Sequence, residues 1–327
     1  MNYLESAKQY TGNDVDKIFF RPLFSGPSAT DLGIRVIYNM PTPTVVQYWD
    51  GQRNILKPLD GEGWSGGQNA VKNQKRIDMQ RVKAEIAFSA ADYYSLVYEK
   101  VIASPEVGYE DLTGTVLEQA ETEIFKHNIR ENLRATMWIG NTKSPSGYNT
   151  FDGFLSHLGE LVDNEDLEAV EYTYANLKEP GYVVSIFEQL WDNLNERARA
   201  GKQEGQLAFF VSSDIYNAYE KYLDDHSSDA AYLGAIEGRQ QLMYHGIPVI
   251  DVRVNQYINI STVDRSFCLL TDRRNLILAV NTADLPGNEV RMWYNPDEME
   301  NRQRAVFLAG TMILDESLLT YAHVVTQ

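Results

Sequence analysis

The chain has 327 residues, of which 43% are hydrophobic and 11% aromatic, and it carries a formal net charge of -17. That length and apolar share exclude a disordered chain and allow a sizeable core divided among more than one lobe. The acidity excludes a general grip on nucleic acid or anionic membranes, because no basic stretch is strong enough to overcome it.

The one cysteine, Cys268, has no partner for an internal disulfide, which suits a reducing compartment. The opening MNYLESAKQY lacks the apolar centre of a signal peptide, and no run approaches the ~18 apolar residues of a membrane span. The expectation is a soluble intracellular product.

Residues 1–43 are broken by Pro22, Pro27, Pro41 and Pro43, with Gly26 and Ser28 between them. The apolar patches Ile18-Phe19-Phe20 and Ile34 to Tyr38 then belong to an arm lying on another surface. Residues 44–88 read as a long hairpin. TVVQYW and RNIL form one side, and the alternating Ile77, Met79, Val82, Ala84, Ile86 and Phe88 mark the other. Between them lies LDGEGWSGGQNAVKNQK, rich in glycine and amide side chains. About 14 residues of strand reach more than about 40 Å. A lone two-stranded ribbon is marginal in water, so its apolar face (Ile77, Met79, Val82 and Ile86) is expected to be covered by a neighbouring subunit.

A short helix is expected within 89–107, capped by Ser89 and ended by Pro105. The longest helical pattern follows, over about 112–139. Leu112, Val116, Ala120, Ile124, Ile129, Leu133 and Met137 recur at spacings of four or five, widened by Leu117, Phe125 and Trp138. Thr115 with Glu118 matches a capping box, and Gly140-Asn141 is a stop signal. Roughly 27 helical residues span about 40 Å, so the one-sided stripe calls for a sheet laid along it.

A Pro/Gly loop and an acidic stretch from Glu160 to Glu171 lead into α/β texture from Gly181. VSIFEQLWDNLNERARAG reads as one amphipathic helix closed by Gly201, LAFFVSS as a strand buried on both faces, and SDIYNAYEKYLDD as a helix. GIPVIDV is a strand. FCLLTDRRNLILAVN is two strands around a DRRN turn, and VRMWYNP with RQRAVFLAGTMIL is a strand pair.

Gly61-Glu62-Gly63-Trp64-Ser65-Gly66 is formally GxGxxG, and Gly63 to Gly67 is formally GxSxG. Both chemistries need a strand before the motif and a helix opening from it, so that phosphate meets a helix N-terminus or the serine sits on a sharp elbow. Pro58 and Asp60 precede and Gln68-Asn69 follow, so a flexible loop tip explains the glycines better. His127, His157, His226, His245 and His323 are scattered, without HExxH spacing or cysteine partners for zinc. Asp163, Glu165, Asp166 and Glu168 lack the glycine and terminal glutamate of a calcium loop and read as a solvated face. Asn259-Ile260-Ser261 is a glycosylation sequon by pattern alone. Lys57, Lys72, Lys75 and Arg76 form a modest basic cluster near the hairpin tip, with a solvated face and a charged interface as its two readings. No catalytic residues, cofactor-binding residues or metal ligands are assigned, and no enzyme activity is expected.

The order of parts (arm, long hairpin, long helix, α/β lobe, returning strands) resembles the major capsid protein of tailed phages, a fold shared with encapsulins. Supporting stretches are Trp138-Ile139-Gly140-Asn141, the loop ending Tyr148 to Phe154, LAFFVSSDIYNAYEKYL with HGIPVIDV, and FCLLTDRRNLILAV followed by RAVFLAGTMIL. IFFRPLFSGPSATDLGIRV has the look of capsid proteins from phages of Bacteroidetes-type hosts.

The resemblance implies an α+β fold with an N-terminal arm (1–43), an E-loop hairpin (44–88) and a peripheral domain with its spine helix (89–180). An axial domain (181–285) and strands returning to the peripheral domain (286–327) complete it. It implies a structural subunit that assembles through hexamers and pentamers into an icosahedral virion shell. That shell forms in the host bacterial cytoplasm and encloses double-stranded DNA without strong sequence-specific binding. A portal is an implied partner, with decoration proteins as an option; the absence of a helical extension before the arm implies either a separate scaffolding protein or a numbering that starts after a cut. Lys57, Lys72 and Lys75 are available for the cross-links some relatives form. An encapsulin-like compartment around cargo enzymes is the alternative.

Overall fold

The structure, a computed structural model, describes residues 8–10, 29, 31–39, 44–49, 72–89, 116–179, 181–226, 242–255, 266–281, 289–295, 297–298 and 300–325. The sequence-based hairpin tip with its glycine motifs, Lys57, the 90–107 helix, the first residues of the long helix and the sequon at Asn259 lie outside these.

The long helix α1 is Val116–Ile139. Its buried face runs through Phe125, Ile129, Leu133 and Met137, four residues apart, while Ile124 is 37% exposed. The expected stripe used Ile124, five residues before Ile129. A helix of 3.6 residues per turn keeps a strict four-residue series on one face for a few turns, and a jump of five leaves it. From Ala135 to Gly140 every residue is buried. Gly140 N–H closes on Thr136 O at 2.8 Å, and Gly153 N–H donates to Gly140 O at 2.8 Å. A Cβ on Gly153 would stand 2.6 Å from Thr136 O and 2.7 Å from Trp138 O, so only glycine lets the returning loop touch the helix end. Helix α2 (Phe154–Asp163) begins there.

The sheet expected along α1 is built from distant strands. The first sheet contains β1 (Lys8–Tyr10), β2 (Arg35–Tyr38), β5 (Gln80–Ser89), β11 (Leu276–Asn281), β12 (Glu289–Asn295) and the 14-residue β13 (Glu300–Ile313). β12 and β13 pair antiparallel as the sequence suggests. β12 borders the first half of β13 and β11 its second half, while β5 runs antiparallel beside residues 300–309 on the other edge. The second sheet follows the order β6 (Val170–Tyr172), β14 (Leu319–Val324), β10 (Phe267–Asp272), β7 (Leu207–Val211), β9 (Ile247–Asp251) and β8 (Met243–Tyr244).

Alternation along the strands sets the layers. Leu276, Leu278 and Val280 of β11, with Ala305, Phe307 and Ala309 of β13, face α1 and α2. Ala208 and Phe210 of β7 join that same core from the second sheet. Leu207, Phe209 and Val211 face the other way, onto α3 (Tyr182–Asn193) and α5 (Ser213–Asp225). The second sheet is thus covered on both faces, which explains the unbroken apolar run LAFFV. Trp138, fully buried, joins the lobes: its ring lies 5.3 Å from Phe154, 5.6 Å from Phe210 and 5.8 Å from Phe267.

The structure differs from the sequence reading or refines it in three further places. The single helix expected to run to Gly201 is two. Leu194 is extended, and Asn195 Oδ1 accepts from Arg197 N at 3.1 Å to start α4 (Glu196–Ala200). The guanidinium of Arg199 donates to Trp191 O and Asp192 O and satisfies the end of α3. Second, the two strands expected around the DRRN turn are both present, each in a different sheet: β10 lies in the second and β11 in the first. Third, the returning strands divide, β12 and β13 entering the first sheet and β14 the second.

Both crossings between sheets are stapled by Asn275, 3% exposed. Its Nδ2 donates to Thr271 Oγ1 at 3.1 Å and Asp315 O at 2.8 Å, and its Oδ1 accepts from Asp315 N at 2.8 Å. Asn275→Ala orphans these buried groups and should cost more than about 2 kcal/mol in chemical denaturation. Phe125→Ala should cost about 3–5 kcal/mol, against less than about 0.5 kcal/mol for Ile124→Ala, which separates the two alignments of the helix stripe.

Candidate functional site

The segment expected to form one arm of a long hairpin bends at Asp78-Met79. Before the bend, β4 (Lys72–Ile77) pairs antiparallel with β3 (Thr44–Trp49) as a two-stranded ribbon. After it, β5 belongs to the first sheet. The bend lies against Gly310 of β13, where a Cβ would come within 2.8 Å of Asp78 O and 3.2 Å of Met79 Cα. A glycine inside the apolar run RAVFLAGTMIL is the signal sequence reading missed, since glycine within a strand marks a close backbone approach.

The expected need for a neighbour over Ile77, Met79, Val82 and Ile86 is corrected here. Ile77 and Met79 pack with Val46 against Ile277, Ala279 and Met312, on the side of the first sheet away from α1. Val82 is buried in the main core, and Ile86 packs against it. Strand parity explains the difference: Met79 and Val82 are three residues apart, an odd spacing, so they bury on opposite faces of one sheet.

Charge pairs fix the root of the ribbon. Lys75 Nζ pairs with Glu316, in the turn between β13 and β14, and Arg76 Nε donates to Asp78 Oδ1 at 2.8 Å. Two members of the supposed basic cluster are therefore neutralised within the chain, and they stand at the ribbon's root instead of its tip. Beside them an open groove of about 480 Å3 runs between β4, α2 and the end of β13. His157 lines it and meets Thr311 O with Nε2 at 3.1 Å, which requires the proton on Nε2. Burial pushes the imidazole below its ordinary value of 6.5, against the pull of Asp152 and Glu160.

The remaining histidines stay apart. His127 is exposed on α1. His226 caps α5 and stacks on Tyr222, His245 sits in the β8–β9 turn, and His323 stacks on Tyr321. Among the described residues no group of three or more His, Cys, Asp or Glu side chains could hold a metal ion. A polar network at the ends of β7 and β9 (Tyr172 to Ser266 at 2.6 Å, Ser266 to Asp214, Ser213 to Asp251 at 2.8 Å) spends its donors internally. It joins the start of β10 to the first turn of α5. Cys268 is buried, and burial raises its thiol far above the reactive range. Among the described residues no helix is long and apolar enough to cross a membrane.

No protein-family model matches the sequence, and no curated protein matches it. The fold itself is known. The chain is similar to the capsid of cyanophage A-1(L), with a TM-score of 0.56 and 12% identity over 92% of this chain and 93% of that one. It is similar to a chain of the satellite phage P4 procapsid that includes the size determination protein, with a TM-score of 0.55 and 10% identity over 94% and 99%. It is also similar to the holo-SrpI encapsulin complex of Synechococcus elongatus PCC 7942, with a TM-score of 0.51 and 11% identity over 91% and 87%. The chain has the α+β fold that these phage capsid and encapsulin structures share.

Two measurements test the root. Gly310→Val forces a side chain into the backbone of the bend and should lower stability by several kcal/mol, of the order seen for overpacking or strain. Because His157 is held below 6.5, the folded state takes up its proton less readily than the unfolded chain. The site's contribution is full above 6.5 and is lost as pH falls through the lowered folded value. His157→Gln should flatten the part of the stability curve between about pH 7 and 5 that this group supplies, measured by urea titration.

Proposed function

We propose that the chain is a structural shell subunit, the major capsid protein of a tailed phage, assembling through hexamers and pentamers into an icosahedral shell around double-stranded DNA. The observation that carries this reading is the end-to-end agreement of the fold with phage capsid chains, which leaves no segment of domain size over for a catalytic unit. In this reading residues 1–43 are the arm and 44–88 the E-loop, now with its root at Asp78-Met79. Residues 89–180 carry the spine helix α1, 181–285 contribute the axial α/β lobe, and 286–327 return strands to the sheets.

The chemistry supports a scaffold in preference to an enzyme. The buried polar groups at Asn275, Thr311 and Ser266 hold strands and turns together: Asn275 joins Thr271 to Asp315, Thr311 Oγ1 donates to Asp152 O, and Ser266 donates to Asp214. A net charge of -17 suits a wall that must release packaged DNA. Assembly in the bacterial cytoplasm with a separate scaffolding protein and a portal completes the proposal. The similarity to the SrpI encapsulin favours one second reading, a compartment loaded with protein cargo.

Co-expression with the scaffold should yield closed particles by negative-stain microscopy. Replacing residues 52–69 with a short Gly-Ser turn should leave the melting of the isolated subunit within a few degrees of the parent but abolish closed particles. Normal particles from the shortened chain would remove the E-loop from the assembly mechanism. Particles that take up protein cargo and exclude DNA would favour the compartment.

A further inference from the structure

At Asp78-Met79 the chain leaves the edge of β13. From Gly310 to Ile313, β13 runs on with no strand beside it on the side away from β11, among the described residues. The parity of the ladder identifies the groups left over. Leu314 N donates to Asn275 O at 3.0 Å, so by alternation Met312 bonds Ile277 and Gly310 bonds Ala279. The odd-numbered residues point to the opposite edge, where β5 takes them as far as Ala309, opposite Gln80. Thr311 and Ile313 continue that row.

Only Thr311 O is engaged there, by His157 Nε2 at 3.1 Å. Thr311 N–H and both backbone groups of Ile313 have no partner among the described residues. The two residues are 5% and 2% exposed. Backbone groups so deeply placed are nearly always paired, because leaving one dry costs about as much as a lost hydrogen bond. An open row of this kind is a template for another strand.

The groove at the ribbon's root gives that strand a place to lie. Thr311 and Ile313 line it, with α2 along one side and β4 along the other, and its volume of about 480 Å3 suits a few residues of peptide. β4 does not fill the edge itself. Asp78 O crosses β13 at Gly310, and Ile77 packs with Ile277 and Met312 on the far face of the sheet.

Charge narrows the occupant. The walls carry four carboxylates (Asp78, Asp152, Glu160 and Glu316) against two cations, Lys75 and Arg76. Lys75 pairs with Glu316, Arg76 with Asp78, and Lys143 reaches Glu160 from outside the groove. Asp152 is held by Thr142 N–H and its hydroxyl, which are neutral donors. The balance left in the groove is negative.

We propose that the open edge of β13 at Thr311 and Ile313 is a docking site for a short extended segment of a different protein, which adds as a strand and brings a lysine or arginine beside Asp152 and Glu160. Main-chain hydrogen bonds hold such a segment, while alternate side chains meet the walls. A second copy of this chain suits the site less well, because it brings a net charge of -17 to walls that are already negative. The edge belongs to the single chain, so binding there does not depend on assembly into a shell.

The probe is the fluorescein-labelled peptide TVTKTVT, titrated with the full chain and read by fluorescence polarisation. The same peptide N-methylated at every internal amide keeps its charge but cannot join a strand edge, and should bind at least about tenfold more weakly. Glutamate in place of its lysine should weaken binding by a similar factor. Glu160→Lys changes an exposed side chain whose pair with Lys143 contributes little to the fold, and should weaken the lysine peptide at least about fivefold. Bound peptide should slow amide exchange at Thr311 and Ile313 at least about tenfold.

Absence of binding, equal binding of the methylated peptide, or binding that leaves exchange at Thr311 and Ile313 unchanged overturns the proposal. Amides at these two positions that are already protected without peptide show an edge filled from within, and overturn it too. Peptide that dissociates the chain's own assemblies gives the edge to a second copy and overturns the choice of partner. Should Glu160→Lys misfold, the methylated peptide and the exchange measurement decide. The shell reading is tested separately by closed particles and survives each of these failures.

Discussion

Two strands change sheets within a few residues of each other, and one buried amide holds both changes in place. β10 ends in the second sheet and, after a single turn of 3-10 helix, β11 begins in the first; β13 ends in the first and β14 begins in the second. Asn275 spans the two crossings with three side-chain hydrogen bonds, and Thr271 Oγ1 adds a fourth link to Leu318 O at 3.1 Å. A crossing leaves backbone groups that neither sheet can pair, and water is excluded there. An amide, with a donor and an acceptor on one rigid plane, satisfies both kinds at once. The relative placement of the two lobes thus depends on a polar contact, and the apolar packing follows from it.

Around that joint, Trp138 and the paired glycines close the structure from the helix side. The helix end can lie between the sheets because Gly140 and Gly153 let the loop return without side chains in the way. Trp138 then fills the space with one large ring touching Phe154, Phe210 and Phe267. The rigidity of this junction contrasts with the ribbon, whose attachment consists of one glycine crossing, a small apolar cluster and the Lys75–Glu316 pair. The proposed shell role calls for both: a body that keeps its shape and an extension that adjusts to its neighbour.

Much of this was legible in the sequence, and the misreadings have physical causes. The long helix, the buried strand LAFFV and the β12–β13 pair come directly from periodicity. The expected stripe holds at Phe125, Ile129, Leu133, Met137 and Trp138 and fails at Ile124, because the reading accepted spacings of four and five alike, whereas helix geometry does not. The ribbon was read as one continuous hairpin because the slip at Arg81 was passed over; it moves the apolar set from odd-numbered Ile77 and Met79 to even-numbered Val82, Ala84 and Ile86, which meet the opposite face of the sheet. The separation of β10 from β11 was invisible, since a three-residue turn between apolar runs looks like a hairpin turn. Only Gly310 and Asn275, small or polar residues within apolar surroundings, signalled that the chain does something unusual there.

The ribbon's internal burial changes what assembly must supply. With Ile77, Met79 and Val82 covered by the same chain, the apolar surface expected to drive subunits together is already spent. Among the described residues the large hydrophobics still exposed are scattered: Tyr38, Val45, Ile124 and Tyr174. Scattered apolar side chains do not make an interface core. For the proposed shell, the described residues therefore offer charge and shape, not a contiguous apolar patch, as the means of contact between copies. A closed shell suits this arrangement, because each contact can stay reversible enough to correct errors while the sum over a closed surface is stable. The acidity of the chain has the same logic in the proposed shell: a net charge of -17 makes copies repel one another in most orientations and leaves association to specific complementary contacts.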